Sequence, residues 1–502
     1  MLSLERGASS EALSRQVYEQ IRAAVLDGRL SPGMRLPTTR ALAREAGCSR
    51  NTVMAGYEQL LAEGYLEGQP GSGTFVSPIL PEEMLTARAS PSTGDPSAKA
   101  AAPPTISRRG AELLALSLSG PALRRSAGHR RAFVPGLPEN GLFPFSTWGK
   151  LVGRFWSNPP ESTLRHGDPA GQPALRAAIA EYLRVARGVK LAPEQVFVTS
   201  GAQQALDLAV RMLLDPGDEV WLEEPGYAGL RGPPLAAGAR LVPVPLDGEG
   251  LVVAEGRRRA PNARLAVVAP AHHYPLGVTL SLTRRLELLD WARDAGAWIV
   301  EDDFDSEYHY ASKPLASLQS LEPEDGRVLY LGSFSKVLFP SLRVGYLVVP
   351  RSLIDSFAKA RAALDDHPAL ALQPALAAFI SEGHFAAHVR RMRTLYAARQ
   401  EALLDAARVY LDGLLEVSAQ PGGLHLVARL HQDLSSRMDD REASRRADAH
   451  GIVAPALSAN YFWASEASGT RGDRQGLLLG YAAVTDAEMP AAVRRLAAAL
   501  EA

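Results

Sequence analysis

Arg327–Pro350 reads RVLYLGSFSKVLFPSLRVGYLVVP. Its first residues are short, apolar and β-prone, the mark of a buried strand. The strand ends on Ser333-Phe334-Ser335-Lys336, and Arg343 follows seven residues after the lysine. A lysine at a strand end is ordinarily a solvated surface group. Here it sits between two hydroxyls and ahead of VLFPSLRVGY, which is no solvated stretch. A second apolar strand, RVGYLVVP, closes the unit.

The same pattern repeats on the N-terminal side. VFVTS precedes the helical GAQQALDLAVRMLL; EVWLEEP, RLVPVPL, RLAVVAP, the helical SLTRRLELLDWARDAG and AWIVEDDF follow. Short apolar strands separated by helices predict an α/β body with a mainly parallel sheet and helices on both faces. In such sheets chemistry gathers beyond the carboxyl ends of the strands.

Two further strand ends carry polar groups. Ser200-Gly201-Ala202-Gln203-Gln204 opens a helix, where small residues and free backbone N–H groups suit a phosphate. Glu301-Asp302-Asp303-Phe304-Asp305 follows AWIV; such an acidic run also suits a metal site or a solvent-facing loop. Pyridoxal 5'-phosphate needs a lysine amine for its aldehyde, a carboxylate for its pyridinium nitrogen and an anion site for its phosphate. The chain offers them in the order phosphate loop, carboxylate, lysine, arginine.

The N-terminal residues form a separate unit. Leu13, Val17, Ile21 and Val25 mark one helix face. Thr38 or Thr39 caps a second helix, and Ser49 caps a third in which Val53, Tyr57, Leu60 and Leu61 are expected to face inward. YLEGQPGSGTFV then reads as two short strands around a glycine-rich turn, a wing behind a helix-turn-helix. This head carries eight basic and eight acidic residues, yet five arginines and one acid fall between Arg29 and Arg50. Arg35, Arg40, Ser49, Arg50, Asn51 and Thr52, with Gly71, Ser72 and Gly73 of the wing, are therefore the candidate DNA contacts.

Composition bounds the rest. The 502 residues are 46% hydrophobic and 22% charged, with 54 basic against 55 acidic side chains, which excludes a globally basic nucleic-acid coat. The single cysteine, Cys48, excludes an intramolecular disulfide or a cysteine-rich metal cluster. No apolar run is long enough for a membrane span and no signal peptide is evident, so a cytoplasmic protein is expected. Residues 1–78 are read as the DNA-binding head, 79–131 as an extended, basic, Pro/Ser/Ala-rich linker, and 132–502 as the body. The body divides into a large part at 170–390 and a small part at 391–502 joined by the N-terminal segment.

LPTTRALAREAGCSRNTVMAGYEQLLAEGYLEGQPGSGTFV is similar to the winged helix of the GntR regulators. The body resembles the type I aminotransferase fold, with a smaller C-terminal α+β domain. DPAGQPALRAAIAEYL, VTSGAQQAL, EEPGYAG, HHYPLGV and EDDFDSE, with the lysine stretch, resemble the MocR subfamily of GntR regulators. That resemblance implies that Lys336 holds pyridoxal phosphate as a Schiff base and Asp302 pairs with its pyridine nitrogen. It implies that Ser333, Arg343 and the backbone of Ala202 and Gln203 hold the phosphate, while Tyr227 stacks on the ring and Tyr274 and Pro275 line its far edge. It also implies a head-to-tail homodimer on a double-stranded DNA operator.

Three departures from the aminotransferase pattern stand out. Phe304 takes the place of a tyrosine hydroxyl near the ring oxygen, with Tyr308 as a substitute. Leu478 stands where an arginine clamps an amino-acid carboxylate, and His166 where a tyrosine reaches the neighbouring subunit. Cofactor binding thus looks complete and substrate capture thinned, which implies a cofactor-sensing regulator resembling the PdxR type, one that controls vitamin B6 synthesis. A working aminotransferase with an accessory head, and a cofactor-binding protein that does not bind DNA, are the competing readings.

Overall fold

The computed structural model describes residues 4, 12–80, 106–116, 131–310, 316–323, 326–463 and 474–501. The chain divides into two compact units, Met1–Pro104 and Thr105–Ala502.

In the first unit, α1 (Leu13–Leu26) buries Val17, Tyr18, Ile21 and Val25 on one face. The Thr38 hydroxyl accepts from the Ala41 amide to start α2 (Thr39–Glu45), and Ser49 accepts from the Thr52 amide to start α3 (Arg50–Ala62). Each cap satisfies an amide that the first helical turn leaves without a partner. Val53, Tyr57 and Leu60 close the core, whereas Leu61 is exposed, because it lies a further 100° or so round the helix. β1 (Leu66–Gln69) and β2 (Gly73–Val76) form an antiparallel ribbon joined by a turn in which Gly71 has φ +79°.

The second unit is built on eight strands: β3 (Val196–Thr199), β4 (Glu219–Glu224), β5 (Arg240–Asp247), β6 (Gly250–Leu251), β7 (Leu265–Val268), β8 (Trp298–Asp303), β9 (Val328–Ser333) and β10 (Gly345–Val348). Their order is β3-β10-β9-β8-β7-β4-β5-β6. β10 runs antiparallel to both neighbours, while β4, β5, β7, β8 and β9 are mutually parallel. Both faces are buried: Val300, Leu329 and Leu331 pack on one side, Ile299, Ala266 and Val328 on the other. This is why these strands read as continuous apolar runs rather than alternating ones.

A three-stranded antiparallel sheet, β11 (Leu415–Val417), β12 (His425–Leu430) and β13 (Gly476–Gly480), forms the smaller core with Met392, Tyr396 and Leu403. The stretch at 132–133 joins it, through bridges from Ala132 to Ile452 and from Phe133 to Gly480. Within the stretch read as an extended linker, Arg108–Ala115 is instead a helix, α4. Ser107 caps it and Arg109 donates to the Ala236 carbonyl, so local capping and one docking contact outweigh the Pro/Ser/Ala-rich surroundings. Residues 81–105 and 117–130 of that stretch lie outside the described residues. No helix among the described residues is long and apolar enough to cross a membrane.

Candidate functional site

β8 sorts the acidic run by alternation, since successive side chains of a strand point to opposite faces. Glu301 accepts from the Leu318 and Gln319 amides at 3.1 Å each. Asp303 is held by Arg187 at 2.9 Å and by the Tyr330 hydroxyl. Asp302 lies on the other face, buried, and its Oδ1 has no hydrogen-bond partner among the described residues. Burial, reinforced by Asp303 and Asp305, pushes its carboxyl up to about 7. Glu301 and Asp303 are therefore engaged within the protein, Asp305 is taken up by His272, and Asp302 alone of the four acids keeps an oxygen without a partner among the described residues. Among the described residues, the only group with metal-ligand spacing is His166, Asp366 and His367.

Lys336 follows β9 and is half-buried. Burial lowers its amine below the usual lysine range, against the attraction of Asp305 and Asp302. A depressed ammonium is more readily the neutral nucleophile. Its Nζ donates to the Gly136 carbonyl at 2.8 Å. Ser333 Oγ accepts from the Ser335 amide at 3.2 Å, which fixes the turn between strand end and lysine.

The anion end is separate from the carboxylate. Helix α5 (Ala202–Leu213) begins at Gly201, φ +102°, without a side-chain cap, leaving the Ala202 and Gln203 amides at an open N-terminus. The Arg343 guanidinium lies over Gly201: a Cβ there would sit 3.2 Å from Nη2. Arg343 is exposed and has no ion-pair partner among the described residues. An open helix N-terminus beside an unpaired guanidinium has the chemistry that suits an anion.

Aromatic rings form the walls. Tyr227 and Tyr274 meet edge to face at 5.8 Å, and the Tyr274 ring lies 5.1 Å from that of His425. Gly229 makes room for the Tyr227 ring and the Gln203 amide, both of which a Cβ there would overlap. Sequence reasoning missed His272, His425, Asp305 and Gly136. Asp305, buried, receives His272 Nδ1 at 3.0 Å, and His425 Nε2 lies 2.9 Å from the Pro275 carbonyl. Against burial, the Asp305 carboxylate holds the His272 imidazole above the usual range. The signal available was the acid three places after Asp302, adjacent to the HHYP turn only in space.

On the head, Arg35, Arg40, Arg50 and Asn51 are exposed, as are Gly71, Ser72 and Gly73. Arg35 lies against Gly73 of the wing, and Arg50 Nε reaches the Thr39 hydroxyl only at 3.5 Å. None of these arginines has an ion-pair partner among the described residues, whereas Arg29 is paired with Asp27 at 3.1 Å. Ser49 and Thr52 are engaged with each other in the α3 cap, 2.8 Å between hydroxyls, so they shape the helix start.

Residues 13–76 match the family of bacterial regulatory proteins, gntR family, and residues 158–496 match Aminotransferase class I and II. The chain is 42% identical to the probable rhizopine catabolism regulatory protein MocR of Rhizobium meliloti, over 99% of this chain and 96% of that one. This chain belongs to the MocR-type regulators of the GntR family. It is 32% identical to the pyridoxine biosynthesis transcriptional regulator PdxR of Corynebacterium glutamicum, over 94% of this chain and 92% of that one. The body is similar to the solved structure of LysN, the α-aminoadipate aminotransferase of Thermus thermophilus complexed with N-(5'-phosphopyridoxyl)-L-leucine. That match has a TM-score of 0.67 at 28% identity and covers 79% of this chain and 98% of that one.

In this MocR-type chain each departure from the aminotransferase pattern has a physical setting. Phe304 packs 6.1 Å from the His272 ring, and the Tyr308 hydroxyl donates to the Val337 carbonyl at 3.2 Å, supporting the turn behind Lys336. Leu478 is wholly buried in β13 opposite Val427, with no charge to offer a carboxylate. His166 is exposed, its Nδ1 2.6 Å from Asp366 Oδ2.

Proposed function

We propose that this chain is a transcription regulator whose body binds pyridoxal 5'-phosphate at Lys336 and thereby changes how its head holds operator DNA. The observation that carries the reading is the buried, unpartnered Asp302 Oδ1 within electrostatic reach of the Lys336 amine. A buried polar atom without a partner is costly, and a protonated pyridine nitrogen is the donor that satisfies it. When bound, the cofactor supplies an aldehyde that condenses with the lysine and a ring that absorbs visible light. Lys336 would hold the aldehyde end of the cofactor and Asp302 its pyridine nitrogen. Arg343, Ser333 and the Ala202 and Gln203 amides grip the phosphate. Tyr227 covers the ring and Tyr274 bounds its edge.

At the head, the exposed arginines of α2 and α3 contact phosphates and base edges, with the wing glycines allowing close backbone approach. A head-to-tail homodimer presents two such heads to two half-sites, and the protein acts in the cytoplasm with its DNA. Cofactor coupling requires different affinities of the cofactor for the DNA-bound and free arrangements. Control of vitamin B6 synthesis is the response a pyridoxal phosphate sensor serves most directly, and PdxR carries that pathway in its name. Titration of in vitro selected operator DNA with and without the cofactor tests the reading. A cofactor-dependent shift in affinity is expected, and superimposable curves overturn the sensing claim.

A second reading, a residual aminotransferase, draws on the likeness to LysN and on the depressed Lys336 amine. Leu478 argues against efficient capture of an amino-acid carboxylate, because it supplies neither charge nor hydrogen bond. Turnover on a panel of amino and keto acids decides between the two.

A further inference from the structure

The strand entering the body is tied to the lysine that the sequence places 200 residues later. Lys336 Nζ donates to the Gly136 carbonyl at 2.8 Å. Gly136 has φ +66°, and a Cβ there would lie 2.7 Å from Nζ, so glycine is what admits the amine. Upstream, the Phe133 carbonyl accepts from the Gly480 amide and the Ala132 carbonyl from the Val453 amide, each at 3.0 Å. Arg131 anchors the far end on Asp448, 2.7 Å from its carboxylate and 2.8 Å from its carbonyl. Between the anchors Phe133 is held at φ +66° with its side chain wholly buried. A non-glycine residue in that region is strained and persists only while its surroundings hold it.

We propose that the Lys336 amine latches the Arg131–Gly136 strand in the ligand-free protein, and that imine formation releases it. The inference rests on the cofactor reading above. The ammonium first sheds one proton; the neutral Nζ then adds to the aldehyde carbon, a C=N bond replaces C=O, and the oxygen leaves as water with the two hydrogens left on nitrogen, after which the imine nitrogen stays neutral or takes up one proton. At most one N–H remains, on a nitrogen whose position is now set by the cofactor ring. With the nitrogen drawn to the cofactor's position the Gly136 carbonyl loses its donor, and the strain at Phe133 then favours detachment. Arg131 follows in sequence directly on the stretch that connects to the head, so a loosened strand lies on the covalent route from lysine to DNA-binding unit.

Hydrogen exchange on the full chain tests this by following the Val453 and Gly480 amides, which donate to the strand. Pyridoxal phosphate is compared with pyridoxine 5'-phosphate, which has the same ring and phosphate but an alcohol in place of the aldehyde. Exchange about tenfold faster is expected with the aldehyde and not with the alcohol, as for loss of one charge-assisted bond. Lys336→Met without ligand should show the same acceleration, while amides of the β12–β13 ladder stay protected. If that ladder also opens, the variant has lost its fold and the two ligands decide alone. A visible absorbance band without faster exchange at Val453 and Gly480 overturns the latch and leaves the cofactor reading standing. Absence of the band overturns both.

Discussion

Arg187 and Asp303 face each other at 2.9 Å with 4% of each side chain exposed. The Tyr330 hydroxyl donates to the same Asp303 oxygen, so the pair is hydrogen-bonded as well as charged. It lies on the face of β8 opposite Asp302, so the neighbouring carboxylate takes no part in the pair. Removing one member of such a pair leaves an uncompensated buried charge. Arg187→Ala should therefore cost about 3–5 kcal/mol of stability in the larger unit. Chemical denaturation measures it, and Arg187→Met combined with Asp303→Leu should recover most of the loss. A cost below about 1 kcal/mol for the single variant would show the pair to be solvated.

Stability of the ligand-free protein should fall as pH rises from about 6.5 to about 8.5, by roughly 3–4 kcal/mol. Burial pushes Glu223 up to about 8 and Asp302 and Glu301 up to about 7. Unfolded carboxyls titrate near 4, so above that pH the folded chain holds protons that the unfolded chain has released. That stabilisation is complete below the unfolded value and disappears as pH passes the folded values. Burial of His273, His425 and His388 acts in the opposite sense, yet their contribution is complete once the unfolded imidazole is neutral, above about 6.5. Thermal melts across this range check the sign. Asp302→Asn should flatten the slope, and a slope unchanged in that variant would relieve Asp302 of the role.

Most of the body's architecture was legible because each strand is an apolar run bounded by helix and turn signals. The strand ends carrying Asp302 and Lys336 then followed from where parallel sheets place chemistry, whereas Arg343 precedes the antiparallel β10 and is placed by the turn before it. Period-two alternation also separates Asp302 from Asp303, but nothing local says which face is the ligand side; that depends on Arg187, over a hundred residues earlier. The Lys336–Gly136 and His272–Asp305 contacts were illegible for the same reason, since long-range packing sets them and no local periodicity encodes them. Helix α4 was hidden by the composition around it, although its Ser107 cap is local. Leu61 was misplaced by extending an apolar stripe one residue too far round α3.

Arg50→Ala should weaken operator binding by about 1–3 kcal/mol if the guanidinium reads a base edge. Among the described residues of the free head, its guanidinium meets only the Thr39 hydroxyl, at 3.5 Å, so little is lost within the protein. Arg29→Ala should have a smaller effect, because Asp27 already neutralises Arg29. Fluorescence anisotropy at several salt concentrations separates the two. A loss at Arg29 equal to that at Arg50 would mean that the whole arginine cluster acts as a diffuse charge and that α3 does not read bases.

Gly201→Ala should weaken pyridoxal phosphate binding by about tenfold or more while leaving binding of pyridoxal, which lacks the phosphate, within about twofold. The new Cβ would press on the Arg343 guanidinium at 3.2 Å, in a backbone of φ +102° that alanine tolerates poorly. Arg343 itself holds a left-handed backbone, φ +51°, so it has little freedom to retreat and keep its fork over the helix N-terminus. Lys336 and Asp302 belong to other strand ends and should keep their geometry. Spectral titration with the two aldehydes reads the difference. An equal loss for both would place the damage at the lysine, and the anion site would then have to be sought away from α5.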